Sequence, residues 1–124
     1  FDTSLAHDFD AQWVNVRDLP ELIFDHNQMV RDALQLLRYK TSSQPIIFEF
    51  FGDMFTLPAL QDLWEAIYQM PVDKRNFRKK VSSMDILDKL EIKDKSSSKR
   101  GAFYYVFNET KYKEYVESGN RFSL

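Results

Sequence analysis

The stretch DKRNFRKKVSSM, residues 73–84, decides the fold of this chain. It places Phe77, Val81 and Met84 at helical spacing, so one face of the predicted helix is apolar. At about 100° per residue, Arg75 and Lys79 fall on the opposite face. The first eight residues of the stretch carry five bases and one acid, a net charge of +4. The sequence therefore predicts an amphipathic helix whose outer face is cationic.

Two further helices are predicted upstream. The first takes Asp25 as its N-cap and runs to about Tyr39, where the polar stretch 41–45 ends it. The second is capped by Thr56, and Pro58 is tolerated in its first turn. Six apolar residues share one face of this second helix: Leu57, Leu60, Leu63, Trp64, Ile67 and Tyr68.

The segment between these two helices is apolar. The periodicity of residues 46–51 does not distinguish a strand from a helical turn. Met54 and Phe55 are predicted to form a very short strand.

Downstream of residue 84 the apolar period changes to two. Leu90, Ile92 and Asp94 alternate with charged residues, which predicts a strand from residue 90. SSSKRG, residues 96–101, is a turn signal, and AFYYVF, residues 102–107, is typical of a second strand. The two strands should form a hairpin, followed by a last helix that Asn108 caps and Gly119 closes.

The order of these elements defines the fold class. From residue 26 the chain reads helix, short strand, helix, helix and hairpin, which is the order of a winged helix. We therefore predict an α+β fold, mainly α: a winged helix-turn-helix with a C-terminal β-hairpin wing. In this fold the second helix of the motif enters the major groove of DNA, and the wing lies beside it.

The charge of the chain is distributed unevenly. Seventeen bases and nineteen acids give a net charge of −2 over 124 residues. Residues 73–100 carry ten bases and five acids, net +5, whereas residues 1–36 carry two bases and seven acids, net −5. A basic block that spans the predicted recognition helix and wing indicates a nucleic-acid partner.

The composition excludes several function classes. There is no Cys, so disulfide scaffolds, Cys-based zinc sites and thiol catalysis are excluded. The longest apolar stretches, 45–51 and 102–107, are much shorter than the roughly 18 residues of a membrane span. No signal peptide is visible and the chain starts with Phe1, so we expect a fragment of a longer cytoplasmic protein.

Other polar and aromatic groups have simpler interpretations. HDFD, residues 7–10, lacks helical spacing and is expected to be solvated. Asp25 and His26 fall in a predicted first turn, where capping explains them. The aromatic residues of 102–107 could stack on bases, but a strand that packs on helices favours their burial. We therefore predict no catalytic residue, no metal ligand and no cofactor.

The predicted nucleic-acid interface combines two basic clusters, one on the recognition helix (about 73–84) and one on the wing (about 93–103). Its residues are Lys74, Arg75, Asn76, Arg78, Lys79, Lys80, Ser82, Lys99 and Arg100. Arg, Lys and Asn side chains on the outer face suit base edges, and the flanking and wing bases suit phosphates. The competing interpretation is a solvated cationic helix face. A second basic cluster, with Lys93 and Lys95, at the position of a wing favours DNA.

The chain also resembles a known family. The stretches that carry the resemblance are LPELIFDH (19–26), LQLLRYK (34–40), FTLPALQ (55–61) and DKRNFRKK (73–80). They occur in the order seen in Nudix-related transcriptional regulators, and the resemblance covers about residues 11–107. Within the family the chain is most similar to regulators of arabinose utilisation, with regulators of NAD metabolism close to them.

The resemblance implies two parts of the chain. Residues 1–20 would be the tail of a preceding Nudix-like domain and a linker, with residues 11–16 as its last strand. Residues 21–124 would be the winged-helix DNA-binding domain. The Nudix box is absent, so no hydrolase activity is expected. A small-molecule effector, either a sugar or an ADP-ribose-like ligand, would bind the missing domain.

The resemblance further implies a cytoplasmic repressor without membrane contact. The full-length protein would bind a two-fold operator of double-stranded DNA as a homodimer, with half-sites about one helical turn apart. The alternative is that the same winged helix serves as an accessory or protein-interaction domain of a Nudix hydrolase.

Overall fold

The computed structural model describes residues 12–96 and 99–122 of the chain. The HDFD stretch at residues 7–10 and residue 11 lie outside the described residues, as do two serines of the predicted wing turn. The chain divides into two compact units, one that ends at Asp32 and one that begins at Ala33.

The described part of the first unit contains a short 3₁₀ helix, Val16–Asp18. The predicted strand over residues 11–16 is wrong for the residues described. The reason is local: the Asn15 side chain accepts a hydrogen bond of 2.9 Å from the backbone N–H of Arg17. The carbonyl of Asn15 also accepts one of 2.9 Å from the N–H of Asp18, which closes a turn.

The remaining elements follow the order of a winged helix. They are α1 (His26–Ser43), a 3₁₀ helix (Ile46–Phe50), β1 (Phe55–Thr56), α2 (Leu57–Tyr68), α3 (Lys74–Met84), β2 (Leu87–Asp94), β3 (Ala102–Phe107) and α4 (Glu109–Glu117). The predicted α+β, mainly α, fold class is confirmed. The ambiguous apolar run 46–51 forms a helical turn rather than a strand.

Helix α1 extends four residues beyond the predicted end at Tyr39. The hydroxyl of Thr41 donates to the carbonyl of Leu37 at 2.8 Å, and those of Ser42 and Ser43 donate to that of Tyr39. Each hydroxyl thus finds its acceptor within the helix and does not require a turn, so the polar stretch is compatible with further helical residues.

The three strands form an antiparallel sheet in the order β1-β3-β2. Strand β2 begins at Leu87, three residues before the predicted start, because Asp85 terminates α3 in a left-handed conformation with φ of 50° directly after Met84. The pairing of β2 with β3 is interrupted by a bulge between Lys89 and Lys93. The predicted alternation fails there, and Ile92 is 54% exposed.

The core of the second unit lies between the helices and the sheet. Its buried apolar residues are Ile47, Phe48, Phe55, Leu57, Leu60, Trp64, Ile67, Phe77, Val81, Met84, Ile86, Tyr112 and Phe122. The ring of Phe122 packs against those of Phe48 and Trp64, with centroids 5.5 and 5.1 Å apart. The core therefore includes residues from beyond the hairpin. In the described residues no helix has the length and apolarity to cross a membrane.

Candidate nucleic-acid interface

Helix α3 presents its faces as the sequence predicts. The Asp73 side chain caps it by accepting a hydrogen bond of 3.0 Å from the backbone N–H of Asn76. Phe77, Val81 and Met84 are all buried, at 4% exposure or less. The predicted DNA-contacting residues of this helix are all exposed: Lys74, Arg75, Asn76, Arg78, Lys79, Lys80 and Ser82. Their roles in binding stay a prediction.

The turn between α2 and α3 is fixed by two side chains of α2. The carboxylate of Glu65 accepts a hydrogen bond of 3.0 Å from the N–H of Val72. The amide of Gln61 donates to the carbonyl of Val72 at 2.9 Å and to Glu65 at 3.1 Å. Both polar groups of one turn residue are thus satisfied by the preceding helix, which defines the direction in which α3 starts.

The two flanks of α3 have different surroundings. Asn76 and Lys80 border a shallow depression with Val72 and Phe77. Arg78 and Ser82, four residues apart, face the hairpin on the other flank. The structure therefore brings part of the predicted helix cluster next to the wing.

A groove of about 360 Å³ separates α3 from the base of the wing, and we call it the wing groove. It is lined by Leu57, Pro58, Arg78, Ser82, Lys89, Gly101, Ala102, Phe103 and Tyr105. It is thus formed by residues from the start of α2, from the exposed surface of α3, and from both strands and the turn of the hairpin.

Lys89 is a basic residue of this site that the sequence interpretation missed. Its ammonium lies 4.0 Å from the centroid of the Phe103 ring, and that of Lys93 lies 4.6 Å from the same centroid. Both lysines are exposed. The available signal was the pair of lysines four residues apart, but the predicted strand began after the first of them.

The tip of the wing begins with an Asp94 turn and closes at Gly101. The N–H of Ser96 donates to the Asp94 carboxylate at 2.9 Å, and hydrogen bonding by Ser96 holds the pKa of Asp94 below its usual value. Gly101 has a φ of 74°. A Cβ built there would lie 2.9 Å from Cγ of Lys95 and 3.1 Å from the carbonyl oxygen of Asp94. Lys99 and Arg100 are exposed at this tip.

Two acids of the basic block are paired with a base from outside it. The Lys111 ammonium of α4 lies 3.3 Å from the Asp85 carboxylate and 3.0 Å from that of Asp88. Asn108 also donates to Asp88 at 2.9 Å. Hydrogen bonds, first from Asn108 and then from Lys111, lower the pKa of Asp88, and its bonds to Asp88 and Asp85 raise the pKa of Lys111. The negative charge next to the end of α3 is thereby offset.

The described residues include no cluster of three or more His, Cys, Asp or Glu side chains that could hold a metal ion. Near the start of α1, the His26 ring makes an edge contact with that of Phe24, with centroids 6.1 Å apart.

Comparison with known proteins agrees with this fold. Residues 47–107 match the family model of the NrtR DNA-binding winged helix domain. The chain is 25% identical over 109 residues to the ADPR responsive transcriptional repressor NtrR of Acinetobacter baylyi. That match covers 86% of this chain and 43% of the relative. The resemblance to Nudix-related regulators is confirmed.

Two crystal structures of Shewanella oneidensis NrtR are similar to this chain. The structure complexed with a 27mer DNA has a TM-score of 0.61 and 27% identity, over 87% of this chain and 46% of that one. A second structure of the same protein has a TM-score of 0.57 and 26% identity, over 86% and 44%. The chain thus spans less than half the length of these relatives.

Proposed function

Since residues 47–107 match the family model of the NrtR DNA-binding winged helix domain, we propose that this chain is the sequence-specific DNA-binding part of a transcriptional repressor. The observation that carries the proposal is the outer face of α3. The seven residues of α3 that are predicted to contact DNA are all exposed, and Arg75 and Lys79 lie directly opposite the buried stripe of Phe77, Val81 and Met84. Helix α3 enters the major groove with Arg75, Asn76, Arg78 and Lys79 towards the bases.

The flanking residues hold the DNA backbone. Lys74, Lys80 and Ser82 lie beside the base-reading residues on α3, and Lys99 and Arg100 extend from the wing. Phosphate contacts of this kind fix the register of a protein on the duplex and carry no sequence information. The domain acts by binding alone and performs no catalysis.

The operator has two-fold symmetry and the full-length repressor binds it as a homodimer. A helix-turn-helix dimer places its two recognition helices about one helical turn of DNA apart, so each half-site contacts one α3. Residues 1–20 belong to the preceding Nudix-like domain and its linker, and residues 21–124 to the DNA-binding domain.

The effector that regulates this repressor is an ADP-ribose-like ligand, bound by the Nudix-like domain. This choice is supported by the Acinetobacter baylyi relative, which is an ADPR responsive repressor. Arabinose utilisation, which the sequence resemblance favoured, gains no support from these relatives.

Duplex binding by the 124-residue chain tests the proposal. A preferred 27-base-pair duplex is selected from a randomised pool, with the length taken from the Shewanella oneidensis complex. Fluorescence anisotropy then compares it with a scrambled duplex of the same composition at several salt concentrations. We expect the preferred duplex to bind at least about a thousandfold more tightly, and both affinities to fall with salt.

Equal affinity for both duplexes, or no binding to either, would overturn the proposal and favour a protein-interaction domain of a Nudix hydrolase. In the protein that carries the Nudix-like domain, ADP-ribose should change the affinity for the preferred duplex and arabinose should not. The reverse pattern would return the effector to the sugar class.

A further inference from the structure

Two lysines of strand β2 share one aromatic ring at the base of the wing. The ammonium groups of Lys89 and Lys93 both lie within 4.6 Å of the Phe103 centroid. Each gains a cation–π attraction, which is modest at an exposed site, and the two positive charges repel each other. Phe103 thus holds two ammonium groups near one ring, and a bound anion would reduce the repulsion between them.

The bulge in β2 places Lys93 in this position. Lys89 pairs with Tyr105, so an uninterrupted antiparallel ladder would place Glu91 opposite Phe103. The observed partner of Phe103 is Lys93, because the bulge inserts two additional residues into β2. The bulge therefore replaces a negative charge by a positive one beside the ring.

The surroundings of these lysines are cationic and polar. Lys89 lines the wing groove together with Arg78 and Ser82 of α3. In the described part of the chain, no carboxylate lies within ion-pairing distance of Lys89, Lys93 or Arg78. The groove is thus a surface with positive charge and hydroxyl donors but without internal counter-charge.

We propose that the wing groove binds one phosphodiester of the DNA backbone, contacted by the Lys89 ammonium and the Ser82 hydroxyl, with Phe103 as the positioning residue for Lys89 and Lys93. This rests on the proposed function and names a contact beyond the predicted site. An ammonium on a flexible stem suits a phosphate as a point charge, and a hydroxyl at Ser82 adds a donor. Because a phosphate carries no sequence information, this contact strengthens binding to every duplex alike.

Salt dependence measures the interaction of Lys89 with the phosphate. For Lys89→Gln, we expect about tenfold weaker binding to preferred and scrambled duplexes alike. The slope of log affinity against log salt should also become shallower by about 0.9, because one phosphate is no longer neutralised. Lys113→Gln, on the exposed side of α4, is the matched control and should leave the slope unchanged. An unchanged slope for Lys89→Gln overturns the proposal.

Phe103 is tested as a positioning residue through its coupling to Lys89. Phe103→Leu keeps an apolar side chain but removes the ring, and we expect about threefold weaker binding of both duplexes. In the Lys89→Gln background the same change should have little further effect, since the lysine it positions is gone. A loss of the same size in both backgrounds would overturn the positioning role. Because the Lys89 side chain is exposed, Lys89→Gln leaves the packing of the core unchanged and should fold like the parent chain.

Single uncharged methylphosphonates along the duplex locate the phosphate. The parent chain should lose affinity at one backbone position for which Lys89→Gln shows no loss, while other positions weaken both proteins equally. If every position weakens the two proteins equally, the proposed phosphate contact is wrong. Failure of the parent chain to bind any duplex would instead contradict the proposed function, so the two failures are distinguishable.

Discussion

The carboxylate of Glu65 accepts a hydrogen bond of 3.0 Å from the backbone N–H of Val72, so an acid on α2 holds the turn that leads into α3. Gln61, one helical turn earlier, holds the carbonyl of the same residue. Neither side chain belongs to the proposed DNA-contacting set. The direction of the recognition helix is therefore set by residues that would not themselves touch DNA.

Replacing Glu65 by Ala should lower the free energy of unfolding by about 1–3 kcal/mol. The change leaves a partly buried N–H of Val72 without its charged acceptor. Urea denaturation followed by circular dichroism measures the loss. Glu65→Gln keeps a carbonyl acceptor and should lose less than Ala. Equal stability of the parent and the Ala variant would contradict this role.

Gly101→Ala should destabilise the chain by about 1–2 kcal/mol and weaken duplex binding. The new Cβ would lie 2.9 Å from Cγ of Lys95, at a φ of 74° that side chains rarely adopt. Thermal unfolding and anisotropy measure the two effects. Gly52→Ala is the matched control, because nothing lies within 4 Å of its Cβ and its φ is not positive. It should change stability by less than about 0.5 kcal/mol.

Arg75→Ala should weaken binding to the preferred duplex by about 1–3 kcal/mol and relax the preference at one base pair. Arg75 is exposed on α3, opposite the buried Phe77, where a guanidinium can reach the edge of a guanine. Anisotropy against duplexes substituted at each position measures both effects. Binding of the preferred duplex with unaltered affinity and selectivity would remove Arg75 from the base-reading set.

Tyr112→Phe should leave stability unchanged or increase it. The Tyr112 hydroxyl is buried and has no hydrogen-bond partner among the described residues, so its removal leaves no group unsatisfied. Its ring packs edge-on against that of Phe107 at 5.5 Å, and Phe retains this contact. Thermal unfolding at neutral pH measures the change, and a clear loss of stability would show that the hydroxyl is bonded in solution.

Ionisation of the same tyrosine should lower the stability of the folded chain at high pH. Burial raises the pKa of Tyr112 above 10.0. Its stabilising effect is therefore complete below the pKa in the unfolded chain and is lost as pH rises through the folded value. Tyr112→Phe should reduce the fall in stability above about pH 10. An identical alkaline profile in the two proteins would contradict this assignment.

At low pH Asp88 should contribute to the loss of stability. Hydrogen bonds from Asn108 and Lys111 lower the pKa of Asp88 below 3.8, so its contribution is present above that value and is lost as pH falls through the folded pKa. In Lys111→Met, acid unfolding should begin at a higher pH than in the parent chain. Circular dichroism during acid titration measures the midpoint, and Lys113→Met should leave it in place.

The face of α3 could be predicted from the sequence because a single helical period determines it. Once Phe77, Val81 and Met84 are assigned to the core, the positions of the exposed residues follow from helix geometry. The cap of Asp73 is equally local, since it involves a residue three positions away. The helix-turn-helix and its cationic surface depend on short-range relations of this kind.

The base of the wing could not be predicted in the same way, because strand pairing is a relation between distant residues. The bulge shifts the partner of Phe103 from Glu91 to Lys93, and the hydrophobic pattern within β2 gives no signal of this shift. Ile92, which the predicted alternation places on the same face as Leu90, is 54% exposed for the same reason. Lys89 was missed because the left-handed Asp85 starts the strand three residues early.

The burial of Phe122 shows that the folded core extends beyond the segment that matches the family model. The family match ends at residue 107, yet Phe122 is 1% exposed between Phe48 and Trp64, and Tyr112 is 7% exposed. A truncation at residue 107 would remove two aromatic side chains from the core and expose the surfaces they cover. The autonomous folding unit must therefore extend at least to Phe122, so any minimal fragment for binding studies should retain this C-terminal segment.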